Sequence, residues 1–93
     1  MEAMRELLRS SLGRSLSAMR DEDRLAAAWA VACGRAMAER GAVIGYERGV
    51  VRVEVADAVW MRQMISLRGT LEREMARIAG LPVSGIEFAL KRH

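Results

Sequence analysis

The side chains with the clearest chemical potential in this sequence are arginines, which supply 14 of its 15 basic groups. A guanidinium binds carboxylate or phosphate through two parallel hydrogen bonds, so a face that carries several arginines suits protein or nucleic-acid docking. The predicted contact residues lie on the polar sides of two predicted helices and are Arg5, Arg9, Arg62, Arg73 and Arg77. The alternative is an ordinary solvated face, because glutamates are interleaved with these arginines.

Residues that could support catalysis or bind a metal are few. The sequence has one cysteine, Cys33, and one histidine, His93, which do not make a ligand set for zinc or iron. Glu72 and Glu74 are two positions apart on a predicted helix, so they face different directions and do not form a catalytic carboxylate pair. We therefore expect a binding module with no catalytic residue, metal, cofactor or small-molecule substrate, and interpret Cys33 as a packing thiol.

The length and composition fit one small domain. The chain has 93 residues, of which 52% are hydrophobic, and a formal net charge of +3. This is enough apolar material for one modest core, and the charge permits attraction to phosphates without requiring it. No apolar run approaches the ~18 residues that a membrane span needs, and no signal-peptide pattern is present. We therefore expect a cytoplasmic protein with no membrane association.

The N-terminal segment is predicted to form an amphipathic helix. Apolar residues between Met4 and Met19 fall on one arc when successive residues are placed about 100° apart. We interpret residues 1–20 as an N-terminal helical extension, whose apolar face either covers the sheet or contacts a partner.

A second helix is predicted after the acidic run that begins at Asp21, its expected N-cap. Gly41 is expected to end this helix in the left-handed conformation, and Gly34 within it predicts a close approach by another element. The predicted buried stripe of this helix consists of Leu25, Ala28, Trp29, Ala32, Ala36 and Met37.

After Gly41 the apolar period changes from about 3.6 to 2, which predicts strands. Residues 42–46 form the first strand and residues 51–55 the second, with Gly49 supplying the positive φ of a tight hairpin turn. A long third helix is predicted from the cap residue Asp57 to Gly80, with a stripe at Trp60, Met64, Leu67, Leu71, Met75 and Ile78. A last strand carries Ile86, Phe88 and Leu90 on its buried side.

These elements predict an α+β fold in the order helix, helix, strand, strand, helix, strand, with a small three-stranded sheet packed on helices. Trp29 and Trp60 fall on apolar stripes and are expected in the core, with a partner-facing anchor as the alternative. Tyr46 is the aromatic residue expected to be exposed and available for stacking on a base.

Several of these residues occur together in an order that resembles a known family. The pattern Leu25-x3-Trp29-x4-Gly34, the run from Gly49 to Val55, Trp60, and the closing Ile86-x-Phe88 are similar to the signature of the DciA family, over about residues 22 to 90. The resemblance implies a KH-like domain at residues 21–93, in proteins that help to place the DnaB-type replicative helicase on single-stranded DNA. A KH domain that clamps nucleic acid carries a Gly-x-x-Gly loop, which this sequence lacks.

Three hypotheses about function follow. The first, which rests mainly on the resemblance, is a non-enzymatic accessory factor of DNA replication that binds the replicative helicase and assists its loading on single-stranded DNA. The second is a KH-like nucleic-acid-binding module with no helicase role, which would bind nucleic acid by itself with a steep salt dependence. The third is a protein-interaction or dimerisation module that uses the apolar face of the N-terminal helix.

Overall fold

The computed structural model of the chain describes residues 19–92. Within this range the predicted α+β class is confirmed. The helices are α1 (Asp21–Cys33), α2 (Arg35–Ala38), α3 (Ala58–Ser66) and α4 (Arg68–Ala79), and the strands are β1 (Gly41–Glu47), β2 (Val50–Val55) and β3 (Gly85–Leu90). The predicted N-terminal helix, with Arg5 and Arg9, lies outside the described residues, as does His93.

The three strands form one open sheet in the order β1-β2-β3. β1 and β2 are antiparallel, whereas β3 runs parallel to β2 because the two helices between them return the chain to the same end of the sheet. The hairpin turn has positive φ at both central residues, 52° at Arg48 and 81° at Gly49, between the paired residues Glu47 and Val50. This is the type I′ geometry that matches the twist of the strands, and it confirms the predicted role of Gly49.

The core lies between the helices and one face of the sheet. Alternate residues of β2 are fully buried, whereas Arg52 between them is exposed, so β2 has one face in the core and one in solvent. The buried hydrophobic residues come from five elements and are Leu25, Ala28, Trp29, Val51, Val53, Val55, Met64, Leu71, Met75, Ala79 and Ile86.

The second predicted helix is shorter than its apolar period indicated. Gly34 has φ 77° and ψ 164°, which ends α1 at Cys33, and α2 follows as a single turn. No atom lies within 4 Å of a Cβ placed on Gly34, so the predicted close approach there is wrong. Ala36 is exposed and does not extend the buried stripe, because the backbone changes direction before it.

The N-cap of α1 is Arg20 and not Asp21, which the sequence predicted. Asp21 is the first helical residue, and the Arg20 side chain forms no capping hydrogen bond.

The close approach that the sequence predicted at Gly34 occurs at Gly41. This glycine begins β1 and does not end a helix in the left-handed conformation, so that prediction is wrong. A Cβ on Gly41 would lie 2.9 Å from Trp29 Cζ2, and 3.2 Å from both Met64 Cε and Val53 Cγ1. The Trp29 indole N–H donates to the Gly41 carbonyl at 3.1 Å, so the ring is held against the strand.

The third predicted helix is divided at Leu67, whose φ is −102° and which is 43% exposed. A straight helix over residues 58–79 would be about 33 Å long, whereas a six-residue strand such as β2 spans about 20 Å. The break lets α3 pack on β2 and β3 while α4 packs on α1.

The two predicted ends of this helical segment are confirmed. Asp57 accepts a hydrogen bond from the Trp60 N–H at 2.9 Å at the start of α3, and Gly80 has φ 67° at the end of α4.

The Arg24 side chain connects α1 to α4. Arg24 of α1 donates through Nη2 to the carbonyl of Ala79, at the end of α4. The last carbonyls of a helix have no partner within it and carry partial negative charge, so a cation there is favourable. Arg24 Nε is buried and has no hydrogen-bond partner among the described residues, which offsets part of this stabilisation.

The crowding at Gly41 predicts that Gly41→Ala destabilises the domain by about 1–3 kcal/mol, because an added methyl group overpacks the core. Gly85→Ala is the matched control, since a Cβ there meets no atom within 4 Å, and we expect it to change stability by less than about 1 kcal/mol. Urea unfolding followed by tryptophan fluorescence measures both. Equal midpoints for the two variants would contradict the close packing of Trp29 on Gly41.

Candidate contact surface

The predicted contact arginines Arg62 and Arg73 lie on different helices. Arg62 belongs to α3 and Arg73 to α4, and the break at Leu67 separates the two helices. Both side chains are exposed, and neither forms an ion pair with a residue in the described range. Both guanidinium groups are therefore available to a partner without breaking an ion pair, although the charge of Arg73 contributes to lowering the pKa of the nearby Glu74 carboxyl.

Arg77 differs from these two because its charge is compensated. Its Nη2 lies 2.7 Å from Glu74 Oε2, one turn earlier on α4. The hydrogen bond from Arg77, and then its charge, lower the pKa of the Glu74 carboxyl, and the same interaction raises the pKa of Arg77. A phosphate that bound Arg77 would have to compete with this carboxylate, so Arg77 is the weaker contact residue of the three.

Two further arginines, which the sequence analysis did not single out, lie over aromatic rings. The Arg40 guanidinium carbon is 5.9 Å from the centroid of the Trp60 ring, and that of Arg68 is 5.5 Å from the centroid of Phe88. Both rings are half-buried. Each pair is a cation–π interaction between elements distant in sequence, so no local spacing could have indicated it.

The other paired arginines are on α1, on α2 and on the exposed face of the sheet. Arg20 lies 3.4 Å from Asp23, Arg35 lies 3.4 Å from Glu39, and Arg52 lies 3.6 Å from Glu87 of the neighbouring strand. Such exposed pairs stabilise a fold only slightly, but they leave little net charge for a partner. Among the described helices, the arginines without an ion pair are Arg24 on α1, Arg62 on α3, and Arg68 and Arg73 on α4, and Arg24 is bound to the Ala79 carbonyl.

The aromatic residues present little free surface for stacking on bases. The Tyr46 hydroxyl donates to the carbonyl of Pro82 at 2.6 Å, and the ring packs against the core, so the prediction that it is freely exposed is wrong. Trp29 is 3% exposed, as its position on the predicted stripe indicates, whereas Trp60 lies at the margin of the core. A sequence-tolerant binder of single strands usually stacks successive bases on several exposed rings.

The only cysteine does not have the features of a nucleophile. Cys33 is half-buried against the core, and burial raises the pKa of its thiol to about 12. The reactive form of cysteine is the thiolate, which is scarce near neutral pH when the pKa is this high.

Residues 19–92 contain no group of three or more His, Cys, Asp or Glu side chains arranged to hold a metal ion. In that range no helix is long and apolar enough to span a membrane.

The fold and this surface define a small α+β domain with several exposed arginines on its helices and a half-buried cysteine. A family described as Dna[CI] antecedent, DciA, matches residues 2–88. The chain belongs to the DciA family, and this membership indicates a role related to loading of the DnaB helicase. No curated protein matches the chain.

The high pKa of the Cys33 thiol predicts slow alkylation of the folded protein. We expect iodoacetamide at pH 8 to label native protein at least tenfold more slowly than protein unfolded in urea, because the unfolded thiol has an ordinary pKa of about 8.5. Mass spectrometry at timed intervals gives both rates. Equal rates would show that Cys33 is exposed and ionises normally.

Proposed function

We propose that this protein is a non-enzymatic accessory factor of DNA replication that binds the DnaB-type replicative helicase and assists its loading on single-stranded DNA. The observation that carries the proposal is the family match, which extends over residues 2–88. The described surface supports a binding role, because exposed arginines lie on α3 and α4.

The contact with DNA is assigned to the uncompensated arginines of α3 and α4. Arg62 and Arg73 are exposed and have no described acidic partner, so each can bind a phosphate without first breaking an ion pair. Binding of this kind releases counterions from the nucleic acid, and its affinity falls as salt concentration rises. Arg77 contributes less, because Glu74 holds its guanidinium.

The contact with the helicase is assigned to the exposed side of α3 and its junction with α4. Val59 is 70% exposed, and Ile65 and Leu67 are 44% and 43% exposed. Apolar side chains next to an arginine are typical of the central part of a protein interface. Arg62 lies on the same helix, so helicase and DNA contacts adjoin at α3.

A pull-down against the replicative helicase of the same organism tests the proposal. Purified protein is immobilised and incubated with helicase, with and without single-stranded DNA, at two salt concentrations. We expect stoichiometric retention of helicase that DNA increases. Retention of DNA with no helicase would favour the hypothesis of a KH-like nucleic-acid-binding module, and retention of neither would overturn the proposal.

The charge assignment predicts the effect of the double variant Arg62→Gln/Arg73→Gln on DNA binding. For a single strand, removing one phosphate-binding cation lowers the slope of log affinity against log salt by about 0.7, so we expect the slope to fall by about 1.4. The control variant Arg20→Gln/Arg35→Gln removes two arginines that are already paired with Asp23 and Glu39, and its slope should stay close to that of the wild type. Fluorescence anisotropy with a labelled oligonucleotide at four salt concentrations measures both slopes, and equal slopes would remove α3 and α4 from the DNA contact.

A further inference from the structure

Strand β3 has one free edge in the described structure. It is the last strand in the order β1-β2-β3, so only one side of it pairs with another strand. The Lys91 N–H donates to the Val55 carbonyl at 2.8 Å, which orients the odd-numbered residues of this segment toward β2. Because backbone groups alternate in direction along a strand, the N–H and C=O groups of Ile86, Phe88 and Leu90 point away from β2.

This edge lacks two of the features that discourage strand addition, an irregular register and a proline. At the opposite edge, the register of β1 shifts between Val43 and Gly45. By contrast, β3 pairs with β2 without a shift from Gly85 to Leu90 and contains no proline. Irregularities and prolines at edges discourage pairing with another chain, so the unprotected edge of β3 is competent to accept a strand.

A cleft of about 450 Å³ contacts this strand and extends across the sheet toward β1. It is lined by Arg68 from α4, by Ile86, Glu87, Phe88 and Ala89 from β3, and by Ile44 and Arg52 from the other two strands. At the end of the strand, Leu90 is 49% exposed. The edge therefore has apolar side chains on its helical side, where alternate side chains of an added strand would lie.

The charges around the cleft favour an acidic occupant. Arg68 lies over the Phe88 ring, and the exposed residues Lys91 and Arg92 follow the strand directly. The acidic residue of β3, Glu87, is 3.6 Å from Arg52 and so is already neutralised. Two copies of β3 paired about a twofold axis near Phe88 would bring both Arg68 side chains together, so like-charge repulsion opposes a second copy.

We propose that the free edge of β3 binds an extended acidic segment of a partner protein, which adds to the sheet as a fourth strand. The backbone of Ile86, Phe88 and Leu90 supplies the hydrogen bonds, and Arg68, Lys91 and Arg92 select for acidic side chains. Arg62 and Arg73, which were assigned to DNA above, are not among these residues, so the variants that test the edge leave both of those arginines intact.

The probe is a labelled ten-residue peptide that alternates valine and aspartate, with blocked ends, and its control replaces aspartate with lysine. Fluorescence anisotropy should show saturable binding of the aspartate peptide that weakens with salt, and at least tenfold weaker binding of the lysine peptide. Equal binding of the two peptides, or no saturable binding of either at millimolar protein, would overturn the proposal.

Two variants test the geometry. Leu90→Pro removes a backbone N–H that faces outward and breaks no bond to β2, and Arg68→Glu reverses the selecting charge; each should weaken binding of the aspartate peptide at least fivefold. Ala42→Ser is the control, because residue 42 is exposed and lies on β1, at the opposite edge of the sheet. Circular dichroism and urea unfolding establish that each variant is folded. Wild-type affinity in both folded variants would assign the peptide to another surface.

Amide hydrogen exchange identifies any other occupant. In the free protein, the amides of Ile86, Phe88 and Leu90 should exchange faster than those of Glu87, Ala89 and Lys91, and the peptide should slow them. Protection without peptide that is independent of concentration would mean that another segment of this chain covers the edge. Protection that grows with protein concentration would mean that a second copy does, and either result overturns the acidic-partner assignment.

Discussion

The described structure depends on the packing of Trp29 against Gly41. The indole ring is the largest buried side chain of α1, and it fits only because residue 41 has no Cβ. The Trp29 N–H donates to the Gly41 carbonyl, which satisfies the one polar atom of the ring and fixes the position of α1 over the start of β1. Trp29 also lies 6.5 Å from Phe88, measured between ring centroids, so the same side chain connects α1 to β3 at the far edge of the sheet.

A second constraint is the length of the helical layer. The chain must return from the end of β2 to the start of β3, and the two helices between them have to stay over a sheet of short strands. The break at Leu67 solves this by placing α3 on the sheet and α4 on α1, where Arg24 binds the carbonyl at the end of α4. The same break leaves Leu67 exposed and puts Arg62 and Arg73 on separate helices. The surface assigned to partner contacts is thus a direct result of how the core is covered.

The described arginines differ in the groups that surround them. Arg20, Arg35, Arg52 and Arg77 are held by carboxylates one helical turn away or on the neighbouring strand. Arg40 and Arg68 lie over rings, and Arg62 and Arg73 have no described acidic partner. A net charge of +3 therefore understates the local positive charge on the helical side and at the end of β3.

The α+β class, the hairpin turn at Gly49, and the helix ends at Asp57 and Gly80 all followed from the sequence alone, because each depends on local backbone preference or on a period of a few residues. The family resemblance was also carried by the sequence, in the tryptophans and the valine alternation. Tertiary packing was needed to show which glycine allows a close approach, since Gly34 and Gly41 have the same local freedom but only Gly41 faces Trp29. It was also needed to show which arginines lie over aromatic rings and which edge of the sheet is open. Both depend on neighbours that are distant in sequence, and the spacing of residues along the chain does not indicate them.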